Sequence, residues 1–350
     1  MNDTLPLPER PVQYTLPGPG ELQTRLATYL HGCTGEAWTI GALTRYAVGF
    51  SWVTYGFDAW VAGSTDARGF ILRLGPGDGL FAPYSAQPQF DALKTLEGGR
   101  VPVPRAYWWS DDPSVLGAPF FISERMPGMA PVPWSSGKDS GFDLDYRQRI
   151  GSQFVSALAA LHTTPLTGSS FDQEGITTAN AALRQVDHWA ALSERWALKP
   201  YPMMHKALRW LRGHLPVAPR VSLIHGDYRL GNFLEQDGRI TAILDWELVH
   251  AGDPHEDLGW AFLPQYAAGS GLICRLVPRE DFIAQYERES GIQVSPASLH
   301  FYGVFSLVKI ALTQIAAIRC FEDGTFNDMR MPAMGTQVVP ALRQIEKLLA

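Results

Sequence analysis

The sequence has little cysteine: three residues, Cys33, Cys274 and Cys320, far apart, odd in number and without CxxC spacing. That pattern excludes a disulfide framework and a zinc ribbon, and it fits a reducing compartment. The first 30 residues lack a basic start followed by an apolar run, so no signal peptide is expected and the location expected is cytoplasmic. Positive charge is also scarce. Lys and Arg number 29 against 35 Asp and Glu, a net charge of −6, which disfavours nucleic acid as a partner. The longest apolar run, Phe301 to Ile318, is interrupted by Lys309 and Gln314. It therefore reads as a buried core helix, and no membrane partner is expected. No GxxxxGK[ST] loop, GxSxG elbow, HExxH pair or strand-to-helix GxGxxG occurs. With 33 glycines and 26 prolines the chain falls short of low-complexity composition. Nothing in the sequence reports oligomeric state.

A length of 350 residues allows two lobes and a sizeable core. Residues 1–20 carry five prolines and read as an extended arm. Leu22, Leu26 and Leu30 predict a short amphipathic helix over 21–31. Residues 38–75 are rich in Val, Phe, Tyr and Trp, are punctuated by glycines, and predict an antiparallel meander with a turn at Asp66 to Gly69. A helix is expected near 87–97, with extended segments at 101–109 and 119–125. The Pro-, Gly- and Ser-rich stretch 126–141 is the expected boundary, separating a first lobe (21–125) from a second (126–350). Beyond it, Ile150, Phe154, Val155, Leu158 and Leu161 form a helical stripe ending before Pro165. Helical patterns recur at 179–215, 281–318 and 336–349. The fold class expected is α+β, with one strand-like segment, 221–260, embedded in the helical lobe.

That segment, LIHGDYRLGNFLEQDGRITAILDWELVHAGDPHEDLGWAF, concentrates the polar chemistry. Asp227 and Asn232 lie five residues apart on a loop. Asp227 is placed to accept a proton from a hydroxyl, and Asn232 to ligate a hard cation. Two short strands follow, joined by the favoured turn Asp237-Gly238. Counting outward pairs Gln236 with Arg239 and Asn232 with about Ile243, so Asp245 falls at the same end as Asn232. An amide and an acid there suit Mg²⁺ bridging phosphates, with Glu247 as a second carboxylate. Arg229 is positioned to steer a phosphate or pair with a carboxylate. Asp253 or Asp257 reads as a helix cap, a structural role for these acids. His225, Asp227, His250, Asp253, His255 and Asp257 also resemble a metallohydrolase ligand set, and that alternative stays open.

HGDYRLGN, ILDWE and the GDPHEDL run resemble the aminoglycoside phosphotransferase and choline kinase family, whose fold is protein-kinase-like. In the first lobe, AVGFSWVTY resembles that family's loop between the first strands, FILRLGP its basic-residue strand, and VPVPRAY with FFISERMPG its following strand and hinge. Among its branches the chain looks most like kinase-like domains fused to acyl-CoA dehydrogenases. The resemblance implies a two-lobed fold: a small antiparallel β lobe and a larger, mainly helical one. It also implies use of ATP or GTP with Mg²⁺ to phosphorylate a small-molecule hydroxyl. It would make Asp227 the catalytic base, Asn232 and Asp245 the Mg²⁺ ligands, Arg73 the phosphate contact, and His225 the packing residue of the catalytic loop. Glu124 to Met126 would offer backbone groups to adenine, and Ser51 a hydroxyl to a phosphate. Gln89 stands where the family has a Glu that clamps the basic residue, and Val48 and Trp52 replace a Gly and an Asn. These departures motivate the alternative of a catalytically weak nucleotide-binding module. Glu322, Asp323 and Asp328 are candidates for an acidic acceptor pocket, as an aminoglycoside would need; the branch points instead to a hydroxyl on an acyl chain.

Overall fold

Between residues 38 and 124 the β-branched and aromatic residues pair into one antiparallel sheet. In the computed structural model, residues 16–46, 51–76, 79–80, 83–131, 142–172, 175–197, 199–324 and 328–350 are described. Most of the N-terminal arm, the loop residues 47–50 and the stretch 132–141 fall outside them. Helix α1 (Pro19–Thr34) opens the described part. It starts two residues before the expected range, because Pro19 at its first turn needs no amide partner. Strands β1 (Trp38–Ile40), β2 (Thr44–Tyr46), β3 (Val53–Val61) and β4 (Arg68–Leu74) follow. Helix α2 (Gln87–Leu96), strand β5 (Ala106–Ser110), helix α3 (Pro113–Leu116) and strand β6 (Phe120–Glu124) complete this lobe.

The sheet order is β1-β3-β4-β6-β5, with β2 also paired to β3. Every pairing is antiparallel, so short connections suffice. The turn into β4 comes earlier than expected: Arg68 already pairs with Ala59, and Gly63, at φ +87°, makes the reversal. Residues 101–105 are not strand, because Pro102 and Pro104 have no amide to donate. Leu22, Leu26 and Leu30 of α1 cover one sheet face, over Trp38, Phe57, Phe70 and Phe120. Burying such a side chain contributes roughly 1.5–3 kcal/mol. The other face, with Trp52 and Phe121, joins the core of the second lobe.

That lobe begins with α4 (Leu144–Thr163), capped by Asp143 through the Tyr146 amide at 2.7 Å. Then come α5 (Ala181–Trp196) and α6 (Pro202–Gly213). The embedded segment folds as β7 (Ser222–Ile224), β8 (Phe233–Gln236), β9 (Arg239–Ile243), β10 (His250–Gly252) and α7 (His255–Ala261). Helices α8 (Pro264–Ala267), α9 (Arg279–Ser290), α10 (Pro296–Glu322), α11 (Arg330–Met334) and α12 (Val338–Leu348) finish the chain. The long apolar run lies in α10, which is long and apolar enough to span a bilayer but is 78% buried over its most apolar window. It is the central helix of this lobe. The architecture is the expected α+β one, a β-rich lobe joined to a helical lobe.

Candidate active site

The β8–β9 hairpin turns at Asp237-Gly238, both in the left-handed region that this tight reversal requires. Gln236 pairs with Arg239 as counted, but a bulge follows, and Phe233 rather than Asn232 opposes Ile243. The extra residue moves Asn232 one step closer to Asp245. The Leu244 amide donates to the Asn232 carbonyl at 2.8 Å, so Asp245 is next to Asn232's direct neighbour. Asp245 sits at φ +67°, a left-handed conformation that Asp tolerates better than most residues.

Before the hairpin runs the catalytic-loop candidate, 225–232. His225 donates through Nε2 to the Leu244 carbonyl at 2.8 Å and accepts the Asp227 amide on Nδ1 at 3.2 Å. Those two bonds define a neutral imidazole with its proton on Nε2. The ring thus ties the loop to the strand end that bears Asp245. Asp227 is ringed by donors. Its Oδ1 accepts from Arg229 Nε at 2.8 Å and from Trp260 Nε1 at 2.6 Å; its Oδ2 accepts from Asn232 Nδ2 at 2.6 Å. Asn232 Nδ2 also donates to the Asp227 carbonyl at 2.9 Å, which leaves the Asn232 side-chain oxygen as its group for a cation.

Arg73, near the C-terminal end of β4, crosses to this end and donates through Nη2 to Asp245 Oδ1 at 2.9 Å. Burial favours the neutral acid of Asp245, but the charge and hydrogen bond of Arg73, with the charge of Arg229, outweigh it and hold the carboxyl below its ordinary range. Glu247 shows the opposite outcome. Burial and then the Asp245 charge push its carboxyl up to about 8, against Arg73 and a hydrogen bond from Ser51. Its Oε2 is buried without a partner. Burial opposes the charge of Arg229, yet Asp227 outweighs it and holds the guanidinium above its usual value. The Arg229 guanidinium also lies 5.8 Å from the Tyr266 ring centre.

The sequence-expected residues converge unevenly. Asp227, Arg229, Asn232, Asp245 and Arg73 meet, and Ser51 joins them through Glu247 rather than through open solvent. Gln89 does not clamp Arg73: its Oε1 is buried without a partner, as is Arg73 Nε. The cause is that Arg73 turns toward Asp245, the stronger charge-assisted acceptor. Trp52 is 6% exposed, sits edge-on to Tyr84 and Phe121, and carries the Arg73 guanidinium 5.9 Å from its ring centre. Val48 lies outside the described residues. At the hinge, the Glu124 amide is taken by the Arg105 carbonyl at 2.8 Å, while the Met126 main chain has no hydrogen-bond partner among the described residues.

Asp257 is not a helix cap. It is fully buried, and its two oxygens accept the amides of His225 and Gly226, each at 2.8 Å. His162 Nε2 donates to it at 3.1 Å and receives the Tyr286 hydroxyl on Nδ1 at 2.7 Å. The metallohydrolase set is not assembled. His255 pairs with Asp253 and His250 with Glu256, and no cluster of three His, Cys, Asp or Glu suited to a metal exists among the described residues. Trp260 escaped sequence reasoning, since an apolar run conceals which aromatic carries a useful N–H. Only the fold turns it toward Asp227.

The model of the phosphotransferase enzyme family matches residues 53–296, and the chain belongs to that family. Curated relatives include acyl-CoA dehydrogenase family member 10 of Mus musculus, 28% identical over 70% of this chain, and acyl-CoA dehydrogenase family member 11 of Homo sapiens, 27% identical over 83%. The chain spans 24% and 38% of those two proteins, so it corresponds to a part of each. Among solved structures, a Ralstonia eutropha protein provisionally named an aminoglycoside phosphotransferase aligns with a TM-score of 0.72 at 23% identity, over 93% of this chain and 97% of its own. An aminoglycoside phosphotransferase in ternary complex with ADP and hygromycin B aligns at 0.56 and 17%, over 92% and 97%. At these identities the likeness establishes a shared fold.

Proposed function

We propose that the chain is an ATP- and Mg²⁺-dependent O-phosphotransferase acting on the hydroxyl of a small molecule. The observation that carries this reading is the assembly of Asp227, Asn232, Asp245 and Arg73 at one end of a single hairpin. The donor set suits a hard cation: an amide oxygen on Asn232 and an ionised carboxylate on Asp245, with Glu247's unpartnered oxygen close behind. Bound there, Mg²⁺ would neutralise charge on the nucleotide phosphates. Arg73 exchanges its bond to Asp245 for a phosphate oxygen as nucleotide enters. Asp227 accepts the acceptor's hydroxyl proton as that oxygen attacks the γ-phosphorus in line, the bond from that phosphorus to the β,γ-bridging oxygen breaks, and ADP leaves. Arg229 and Trp260 hold the carboxylate in the orientation for that transfer, and Arg229 adds positive charge beside it. Positioning and charge neutralisation carry most of the rate in such chemistry. Neighbouring folds captured with ADP support nucleotide use.

The acceptor reading follows from charge. Asp323 is paired with Arg319 at 2.6 Å, and Asp328 with Arg330. Two of the three candidate acids are thus paired with arginines of their own segments, while Arg229 is a cation beside the base. That balance disfavours a polycationic aminoglycoside and favours a neutral or anionic alcohol. The curated relatives' acyl-CoA dehydrogenase names fit a hydroxyl on an acyl chain. Asp227→Asn tests the mechanism: it should preserve a thermal shift with MgATP and reduce transfer by roughly 10²–10⁴-fold. Undiminished transfer would remove Asp227 from its role. The unpartnered Gln89 oxygen supports the second reading, a catalytically weak nucleotide-binding module. That reading requires no transfer to any alcohol despite a MgATP or MgGTP thermal shift.

A further inference from the structure

Lys309 is the one lysine or arginine in the apolar middle of α10, and it is 1% exposed. Its ammonium donates to Glu256 Oε1 at 2.8 Å and to the Gly226 carbonyl at 3.0 Å. It also lies 4.9 Å from the Trp260 ring centre, 5.4 Å from that of Trp189 and 5.7 Å from that of Phe305. A buried ion pair is weak evidence for stability, since apolar residues of similar volume often serve as well. The packing of α10, built from Val, Ile, Leu, Ala and Phe, does not itself call for a charge here. What the charge reaches is informative. Gly226 immediately precedes Asp227, and its carbonyl is the one oxygen of that peptide. Trp260, whose ring faces the ammonium, gives its N–H to Asp227 at 2.6 Å.

We propose that Lys309 is a positioning residue for Asp227, acting through the Gly226–Asp227 peptide and through the Trp260 ring. This rests on the phosphotransferase reading above and extends it to a residue that touches neither nucleotide nor acceptor. The peptide before the base is gripped from two sides. Asp257 takes the amides of His225 and Gly226, and Lys309 takes the Gly226 carbonyl. Gly226 is at φ +82°, and a Cβ there would lie 2.7 Å from the Leu248 carbonyl oxygen, so the loop cannot tighten its own backbone with a side chain. The ammonium instead supplies the hold from beneath. It reaches because α7 and α10 approach closely at Gly259, where a Cβ would meet the Tyr302 Cβ at 2.6 Å. Glu256, on α7 and paired with Lys309, keeps the ammonium under the loop, and His250 Nε2 donates to the other Glu256 oxygen at 3.1 Å.

The test uses the full chain and reads the loop before turnover. Lys309→Met keeps the length and the apolar stem and removes the donor. Amide hydrogen exchange in peptides covering 223–232 should speed up about tenfold or more, with protection in α4 and the six-stranded sheet unchanged. With MgATP and an accepted alcohol, kcat should fall about tenfold or more while KM for nucleotide holds within about twofold. Lys309→Arg, which retains charge and donors, should recover part of both. Wild-type exchange in 223–232 of Lys309→Met overturns the proposal whatever the turnover. If Lys309→Met fails to fold, Lys309→Gln takes its place: its side chain is one atom shorter than that of lysine, so its amide falls short of the Gly226 carbonyl that Nζ reaches at 3.0 Å, and the same two outcomes apply. A wild-type chain that transfers phosphate to no alcohol removes the phosphotransferase reading, and the exchange measurement still decides the role of Lys309.

Discussion

Arg73 and Asp245 are 172 positions apart in sequence and 2.9 Å apart in space, Nη2 to Oδ1. The pair joins the middle of the first lobe's sheet to the end of the second lobe's hairpin. Its two members are the phosphate contact and a cation ligand in the proposed reaction, so each occupies the other until nucleotide arrives. Arg73→Ala should therefore weaken MgATP binding about tenfold, the loss of one charge-assisted hydrogen bond. Asp245→Ala should abolish the Mg²⁺-dependent part of the thermal shift. Calorimetric titration with ATP, with and without Mg²⁺, separates the two effects.

Acid should unfold the chain partly through Glu256. Burial alone would raise its carboxyl, but Lys309 and His250 pull it down to about 2. A carboxyl lowered on folding adds stability above its unfolded pKa, near 4.3, and loses that stability as pH falls toward the folded value. Urea midpoints should drop between about pH 5 and pH 2, and Glu256→Gln should flatten that drop. An unchanged acid slope in the variant would contradict the assignment.

Gly226→Ala should lower both stability and activity. A left-handed position costs a non-glycine residue about 1–2 kcal/mol, and the Cβ contact with Leu248 adds to it. Thermal denaturation checks the first effect. Loop exchange over 223–232 checks whether the damage is local.

Trp52→Ala should cost about 3–5 kcal/mol as a buried aromatic truncation, and it should also loosen Arg73, whose guanidinium rests near the ring. Chemical denaturation measures the stability loss. Weaker MgATP binding in the fraction that remains folded would show the second effect, and unaltered affinity would mean that Asp245 alone holds Arg73.

Some elements were legible because their causes are local. Leu22, Leu26 and Leu30 predict α1, and the Asp237-Gly238 turn predicts the hairpin, since both depend on spacings of a few residues. Others misled. The extended reading of 101–109 gave way at Pro102 and Pro104, and straight counting along β8 and β9 missed the bulge that sets Asn232 beside Asp245's neighbour. A bulge is chosen by what the strand packs against, and that is not written in the strand.

By itself the sequence determined which chemical groups are available and in what local order: an Asp and an Asn on one loop, an acid beyond a tight turn, a single lysine within an apolar helix. Short-range sterics and side-chain periodicity are enough for that. Only the tertiary structure decided their partners: Arg73 on Asp245 rather than Gln89, Trp260 on Asp227, Asp257 on the loop amides, Lys309 beneath Gly226. Those partnerships form in a low-dielectric interior, where each buried charge settles on whichever donor or acceptor the packing of distant helices brings within about 3 Å.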